Sequence, residues 1–315
     1  MVPIVYHPGY NVTACGLERL HPFDSVKYRR IHDELIRQGL RRPADFVRPS
    51  FPSRQQMSVV HDPDYLRSLR RRLTLAKILE VPIVALLPVA FTHWRVLRPM
   101  CLAMAGTILA SRLALEHGLA INLGGGYHHA SGKRGHGFCA YADVPTALAL
   151  LRREGRVRSA LIIDVDAHQG DGNADAVRAW GWAHVLDFYD VNIFPVPKVA
   201  EDYPVPLPPA CAGEEYLELV RQHVPKALER FRPDLVTYNA GSDVLADDPL
   251  STLRLTPAEL EQRDLELVTA VRERGVPLAM VLSGGYGPRS WQAHVRSIEG
   301  ILARFDGSVD WGKPA

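Results

Sequence analysis

The stretch ALIIDVDAHQGDG (160–172) decides how this chain is read. Its first residues are apolar and suited to a strand, and the Asp- and Gly-rich tail then breaks the run. That is the profile of a buried strand ending in a polar turn near Asp164. The same profile recurs in AINLGGG (120–126), HVLDFYD (184–190), LVTYNAGSD (235–243) and LAMVLSGGYG (278–287). Helical patterns lie between these runs at Leu102–His117, Val144–Arg153, Glu214–Phe231 and Pro257–Arg274. Thr256, Pro257 and Glu259 make a good start for the last of them. Strands alternating with helices of this length predict βαβ units and a mostly parallel central sheet flanked by helices. The chain reads as one α/β domain over residues 1–315, with no convincing internal boundary. Residues 1–100 are less regular and are expected to pack around the sheet. The Pro- and Gly-dense segment Pro195–Gly213 reads as a loop.

The whole-chain numbers exclude several classes. Of 315 residues, 47% are hydrophobic and 23% charged, which excludes a disordered tail, a collagen-like repeat and a coiled coil. The formal net charge of +2 gives no bulk field toward nucleic acid or an anionic membrane. The four cysteines (Cys15, Cys101, Cys139 and Cys211) are widely spaced without a CxxC, as expected of reduced thiols in a cytoplasmic or otherwise intracellular soluble protein. The N-terminus MVPIVYHPGY lacks a signal-peptide pattern. The apolar stretch ILEVPIVALLPVAF (78–91) is too short to span a bilayer, and Pro82 and Pro88 make it read as an irregular loop.

Ligands of parallel α/β folds bind beyond the carboxyl ends of the strands. The polar clusters of this chain occur there: Gly124–His129, Asp164–Asp171, Asn239–Asp243 and Ser283–Tyr286. Asp166 and His168 are two apart, so in an extended segment both side chains leave the same side and are able to share a divalent cation. Asp243, at another strand end, is the candidate third ligand. A single strand-end aspartate is most often a cap. Burying this many ionisable groups together without a metal would be very costly. Asp164 and Asp171 remain to orient histidines by accepting their second ring proton. The triple glycine before His128 and His129 permits a sharp turn that puts both imidazoles on the rim. Tyr286 also sits beside glycines at a strand end. Together these groups suit metal-assisted amide hydrolysis, with the histidine pair as base and acid and the Tyr286 hydroxyl as an oxyanion donor.

At this point the sequence resembles the zinc-dependent histone deacetylases and their bacterial relatives, most nearly class IV, the histone deacetylase 11 type. The likeness runs through PIVYHPGYNVTACGLERLHPFD (3–24), VVHDPDYL (59–66), VLRPM (96–100), INLGGGYHHASGKRGHGFCAYADV (121–144), IIDVDAHQGDG (162–172), YNAGSDVLADDPL (238–250) and SGGYG (283–287). It implies a single-domain arginase/deacetylase-like fold and removal of acyl groups, long fatty acyl groups among them, from lysine of a protein or peptide. It implies Zn2+ on Asp166, His168 and Asp243, with Fe2+ or Co2+ also compatible with these donors. It makes His128 and His129 the catalytic pair, Asp164 and Asp171 their partners, and Tyr286 the oxyanion donor. Gly137, Phe138, Phe194 and Gly284 would contact substrate. A structural K+ would lie at Asp164, Asp166 and His168, with Asp187 or its neighbour Phe188. Class I enzymes grip the substrate backbone with an exposed rim aspartate that has no counterpart here. The arginase-type DAHxD motif is broken by Gly170, which disfavours a two-metal ureohydrolase. An acetylpolyamine hydrolase, its channel made acidic by Glu214, Glu215 or Asp247, is the alternative enzyme, and a catalytically silent scaffold the alternative outside enzymes. The resemblance implies neither nucleic-acid binding nor a membrane span, and leaves the oligomeric state open.

Overall fold

The computed structural model describes residues 1–16, 18 and 22–307. Leu17, Arg19, Leu20 and His21 of the N-terminal motif, and residues 308–315 of the expected domain, lie outside the described residues. Eight strands form one sheet: β1 (Ile4–Val5), β2 (Phe46–Val47), β3 (Leu119–Asn122), β4 (Ala160–Asp164), β5 (Ala183–Asp190), β6 (Tyr203–Leu207), β7 (Leu235–Asn239) and β8 (Leu278–Val281). All neighbouring strands are parallel, in the order β2-β1-β3-β8-β7-β4-β5-β6.

A parallel sheet is covered on both faces, so its central strands read as unbroken apolar runs. Strand β4 shows how the two-residue period divides them. Leu161 and Ile163 pack with Ile31, Val220, Leu260 and Ile298 on one side. Ala160 and Ile162 pack with Ala110, Leu148 and Val177 on the other. Helices Lys27–Arg37, Gly213–Phe231, Pro257–Arg272 and Ser290–Phe305 therefore cover one face, and helices Arg98–His117, Asp143–Arg153 and Asp171–Val177 the other.

Three segments depart from expectation. Residues 1–100 supply two strands, since β1 pairs with β3 and carries β2 outside it. The proline-rich loop contains β6, in which Pro204 and Pro206 are exposed while Val205 and Leu207 are buried. An edge strand turns half its N–H groups away from its neighbour, so prolines two apart need cost no ladder bond. The apolar stretch 78–91 is irregular only in its first half. After the 3-10 turn Pro82–Leu86 the chain is helical from Val89, passing through a π-helical turn at His93–Leu97 into Arg98–His117. Pro88 caps that start, where a missing N–H breaks no intrahelical bond. The run Val89–His117 is long and apolar enough to cross a membrane by composition, yet 67% of its most apolar window is buried in the protein, which makes it a core helix.

Candidate active site

The four polar clusters emerge from β3, β8, β7 and β4, which are consecutive in the sheet. Asp164 at the end of β4 is in register with Asn239 of β7, and Asn122 of β3 with Val281 of β8. Clusters far apart in sequence thus share one rim.

Asp166, His168 and Asp243 meet there, each buried, with ligand atoms all within 4.8 Å of one another. His168 Nδ1 lies 3.1 Å from Asp166 Oδ1 and 2.9 Å from Asp243 Oδ2. Burial pushes Asp243 up to about 8, helped by the charge of Asp166. Burial opposes a charged His168, but the two carboxylates outweigh it and drive the imidazole up to about 10. Two buried carboxylates competing for one imidazole are short of positive charge, and the oxygen and nitrogen donors suit a divalent cation. The residues present therefore fit a metal of the zinc type.

The rest of the rim holds these side chains in place. Ser283 Oγ and the Gly284 N–H both donate to Asp166 Oδ2, each at 2.9 Å. A Cβ on Gly284 would lie 2.4 Å from Asp166 Oδ2 and 2.7 Å from Asp243 Oδ2, so only glycine fits that approach. The Ala167 N–H donates to Asp243 Oδ1 at 2.8 Å.

His128 and His129 sit side by side, with ring centroids 4.1 Å apart. His128 Nδ1 is 3.0 Å from Asp164 Oδ2, and His129 Nδ1 is 2.7 Å from Asp171 Oδ1. Their environments separate them. Burial opposes charge on His128, but Asp166 and Asp164 prevail and raise it to about 9. Burial and the neighbouring His128 lower His129 to about 3 despite Asp171. Burial also raises Tyr286 well above the ordinary phenol range, with Asp166 and Asp243 adding to it, so its hydroxyl stays a donor. The Tyr286 ring lies 6.1 Å from that of His168.

Gly137 and Phe138 both take left-handed backbone angles, φ 52° and 62°. For a bulky residue such as Phe138 this conformation is strained, by about 1–3 kcal/mol. The Phe138 N–H donates to Ile78 O at 3.0 Å, which ties the strained turn to the outer segment. Phe194 stands opposite, its ring 5.0 Å from His129. A Cβ on Gly137 would lie 2.5 Å from His129 Cδ2 and 3.2 Å from Phe194 Cε1. Gly137→Ala is expected to cost on the order of a hundredfold in kcat/KM by displacing His129, with metal content unchanged. Parallel metal analysis and steady-state kinetics check this.

The family model described as Histone deacetylase domain matches residues 21–301. The chain belongs to the histone deacetylase family. It is 38% identical over 303 residues to Histone deacetylase 2 of Arabidopsis thaliana, covering 95% of this chain and 78% of that protein. It is 33% identical over 287 residues to an uncharacterized protein of Picosynechococcus, covering 90% and 92%. Its fold matches the crystal structure of the HDA15 HD domain with a TM-score of 0.73 over 98% of this chain and 91% of that one, at 18% identity. The single-domain arginase/deacetylase architecture is thereby established, with hydrolase chemistry of the deacetylase type.

This deacetylase-family site also contains residues that sequence reasoning missed. Lys27 is fully buried, and its Nζ donates to the carbonyls of Ser283 (2.8 Å) and Gly284 (3.0 Å). Burial brings it down to about 8, against the pull of Asp243 and Asp166. On a helix otherwise rich in charge it looks like a surface lysine. Arg134 donates to Asp171 Oδ2 at 3.0 Å, and His136 Nε2 lies 2.9 Å from the same oxygen. His129, His136 and Asp171 form a second group close enough to hold a metal. The Arg134 charge already compensates that carboxylate, whose other oxygen lies 2.7 Å from His129 Nδ1. The GKRGH segment before Phe138 was the available signal. Asp248 accepts from the N–H groups of Tyr286 (2.7 Å) and Gly287 (3.0 Å), fixing the loop that carries the phenol.

The segment expected to hold potassium is also short of cations. Asp187 is fully buried and takes the Gly170 N–H on Oδ2 at 2.7 Å, while its Oδ1 has no hydrogen-bond partner. Burial, Glu201 and Asp164 push Asp187 well up. Glu201, unremarked in the sequence, adds a second carboxylate there.

Proposed function

We propose that this family member is a metal-dependent amidohydrolase that removes acyl groups from lysine side chains of proteins or peptides, long fatty acyl groups in preference to acetyl. The observation that carries the reading is one continuous cavity of about 140 Å³, lined both by His128, His129 and Tyr286 and by apolar side chains of the segment 79–100. Of the apolar residues at 81–91, Val81, Ile83, Val84, Leu87 and Phe91 line it, while Leu86 and Val89 do not. An acetyl group has no use for such a wall. The same feature supports placing the chain near class IV.

Asp166, His168 and Asp243 would hold the divalent cation, and Asp187 with the backbone of Asp164, Asp166, His168 and Phe188 a structural potassium ion. When bound, the divalent cation supplies Lewis acidity toward water and the scissile carbonyl. His129, kept neutral and held through Nδ1 by Asp171, takes the proton of the attacking water at Nε2. His128 is held through Nδ1 by Asp164, 3.0 Å away, as the second member of the pair. As the carbon–oxygen bond forms and the carbon–nitrogen bond breaks, the pair returns a proton to the departing lysine amine. The Tyr286 hydroxyl donates to the developing oxyanion. The Gly137 carbonyl accepts the substrate amide N–H, with Phe138 and Phe194 flanking the lysine chain. Cys139 Sγ already donates to that carbonyl at 3.2 Å, which leaves one lone pair for substrate.

None of Glu214, Glu215 and Asp247, the acidic residues expected of an acetylpolyamine channel, lines the cavity. Glu18 is the acidic side chain among the described lining residues, while Glu214 and Asp247 are engaged with Arg221 and Arg289. All four cysteines are free thiols, which supports an intracellular setting.

The test is kcat/KM for acetyl-, octanoyl- and myristoyl-lysine on one peptide, with acetylputrescine alongside. Half of the roughly 0.8 kcal/mol available per buried methylene, summed over several methylenes, predicts at least about a hundredfold preference for myristoyl over acetyl. Fastest turnover of acetyl-lysine would overturn the fatty-acyl reading, and of acetylputrescine the lysine reading.

A further inference from the structure

The net charge of the whole chain conceals a local imbalance. Residues 48–98 carry nine basic and three acidic side chains, a net +6, which leaves −4 on the remainder of the chain. Of these nine, Arg67 forms an ion pair, with Asp64, and no ion pair is found for the others among the described residues. Exposed arginines elsewhere are of both kinds: Arg289 and Arg296 are paired with carboxylates, whereas no ion pair is found for Arg153, Arg178 or Arg254 among the described residues, so the excess of charge and not the lack of pairing sets this segment apart. Arg70, Arg71 and Arg72 stand together, exposed, at the start of the helix Arg72–Ile78.

The same segment exposes large apolar side chains. Leu73 is 75% exposed, Leu86 77% and Trp94 65%, with Phe51 and Ile83 also exposed. The Arg98 guanidinium lies 4.2 Å from the centroid of the Phe51 ring and 4.6 Å from that of Trp94, which joins the charge and the aromatic surface. The helix Arg72–Ile78 packs on the turn Pro82–Leu86, so Leu73 and Leu86 belong to neighbouring elements. Ile83 is both exposed and a lining residue of the apolar cavity. The segment 48–98 thus carries unpaired arginines and exposed apolar side chains, while Val81, Ile83, Val84, Leu87 and Phe91 of the same segment line the cavity.

We propose that this face docks on an anionic lipid bilayer. Unpaired arginines match acidic headgroups, and Leu73, Leu86 and Trp94 match the boundary between headgroups and acyl chains, where aromatic and aliphatic side chains are stabilised together. A nucleic acid would meet the charge but give the aliphatic side chains nothing. Docked in this way, the cavity wall lies against the hydrocarbon, so a substrate's fatty acyl chain passes from bilayer to cavity without crossing water. That last consequence rests on the deacylase reading, whereas the docking does not.

The experiment is cosedimentation of the full chain, without substrate, with vesicles of phosphatidylcholine alone and of phosphatidylcholine mixed with phosphatidylserine, at low and high salt. Binding is expected to the mixed vesicles, weakening with salt. The triple variant Arg70→Gln, Arg71→Gln, Arg72→Gln is expected to lose roughly two orders of magnitude in partitioning at low salt. The pair Leu86→Ser, Trp94→Ser is expected to lose at least about tenfold while leaving the thermal midpoint unchanged, since both positions are exposed. Absence of binding to the mixed vesicles at low salt would overturn the proposal. So would equal binding to both vesicle types, or binding that neither variant weakens. Equally tight retention of a DNA or RNA duplex, reduced by the arginine variant but not by the apolar one, with the vesicles likewise indifferent to the apolar variant, would reassign the face to polyanions. Because no turnover is read, an enzyme inactive on acyl-lysine leaves this test intact.

Discussion

Asp243→Ala is expected to purify without its divalent cation and to show no turnover above background. Asp243 is one of three protein side chains whose ligand atoms converge, with Oδ2 at 2.9 Å from His168 Nδ1. A catalytic site with three protein ligands has none to spare. The substitution also leaves the Ala167 N–H, which donates to Asp243 Oδ1 at 2.8 Å, without its buried acceptor, at a cost of about 1–3 kcal/mol. Metal loss and modest destabilisation are separable by thermal unfolding with and without a chelator. Wild type should lose thermal stability on chelation, because removing the cation restores a crowded pair of buried carboxylates. The variant should be indifferent to chelator. Elemental analysis and turnover on one preparation decide the matter, and near-normal metal content in Asp243→Ala would sink the ligand assignment.

Tyr286→Phe is expected to keep its metal and its thermal midpoint and to lose roughly two to three orders of magnitude in kcat, the cost of one oxyanion donor. The phenol is well placed for this separation of effects. No hydrogen bond from its hydroxyl to another protein group contributes to the fold among the described residues, while the backbone N–H of Tyr286 is fixed by Asp248 at 2.7 Å. Removing the oxygen therefore leaves the loop in place. Its loss should appear in kcat with little change in KM, because the donor acts on charge that develops in the transition state. A variant within a few-fold of wild type would mean that another group faces the oxyanion.

The relation between these two residues shows what the sequence made legible. Asp166 and His168 are local neighbours, and their spacing on an extended segment was enough to predict that their side chains meet. The helices Val144–Arg153 and Pro257–Arg274 were readable to within two residues, the second because Thr256, Pro257 and Glu259 define its start. Strand β6 was not, since two prolines in five residues speak against a strand unless it is known to lie at an edge. Strands β1 and β2, of two residues each, carry too little pattern to detect. The Val89–Leu97 helix was obscured by the proline that in fact caps it.

By itself the sequence determined the parallel α/β class, the motifs at four strand ends and the donor types that suit a divalent cation. These follow from local periodicity and from chemistry carried by residues close together in the chain. The tertiary structure alone decided that β8 and β7 insert between β3 and β4, which brings Asp243 and Tyr286 to the histidines. It alone buried Lys27 under carbonyls 256 and 257 residues away, and turned an apolar stretch into the wall of a cavity shared with His128 and His129. The physical reason is that strand order, burial of a charge and the shape of a cavity depend on which distant surfaces exclude water from one another, and no local period records that choice.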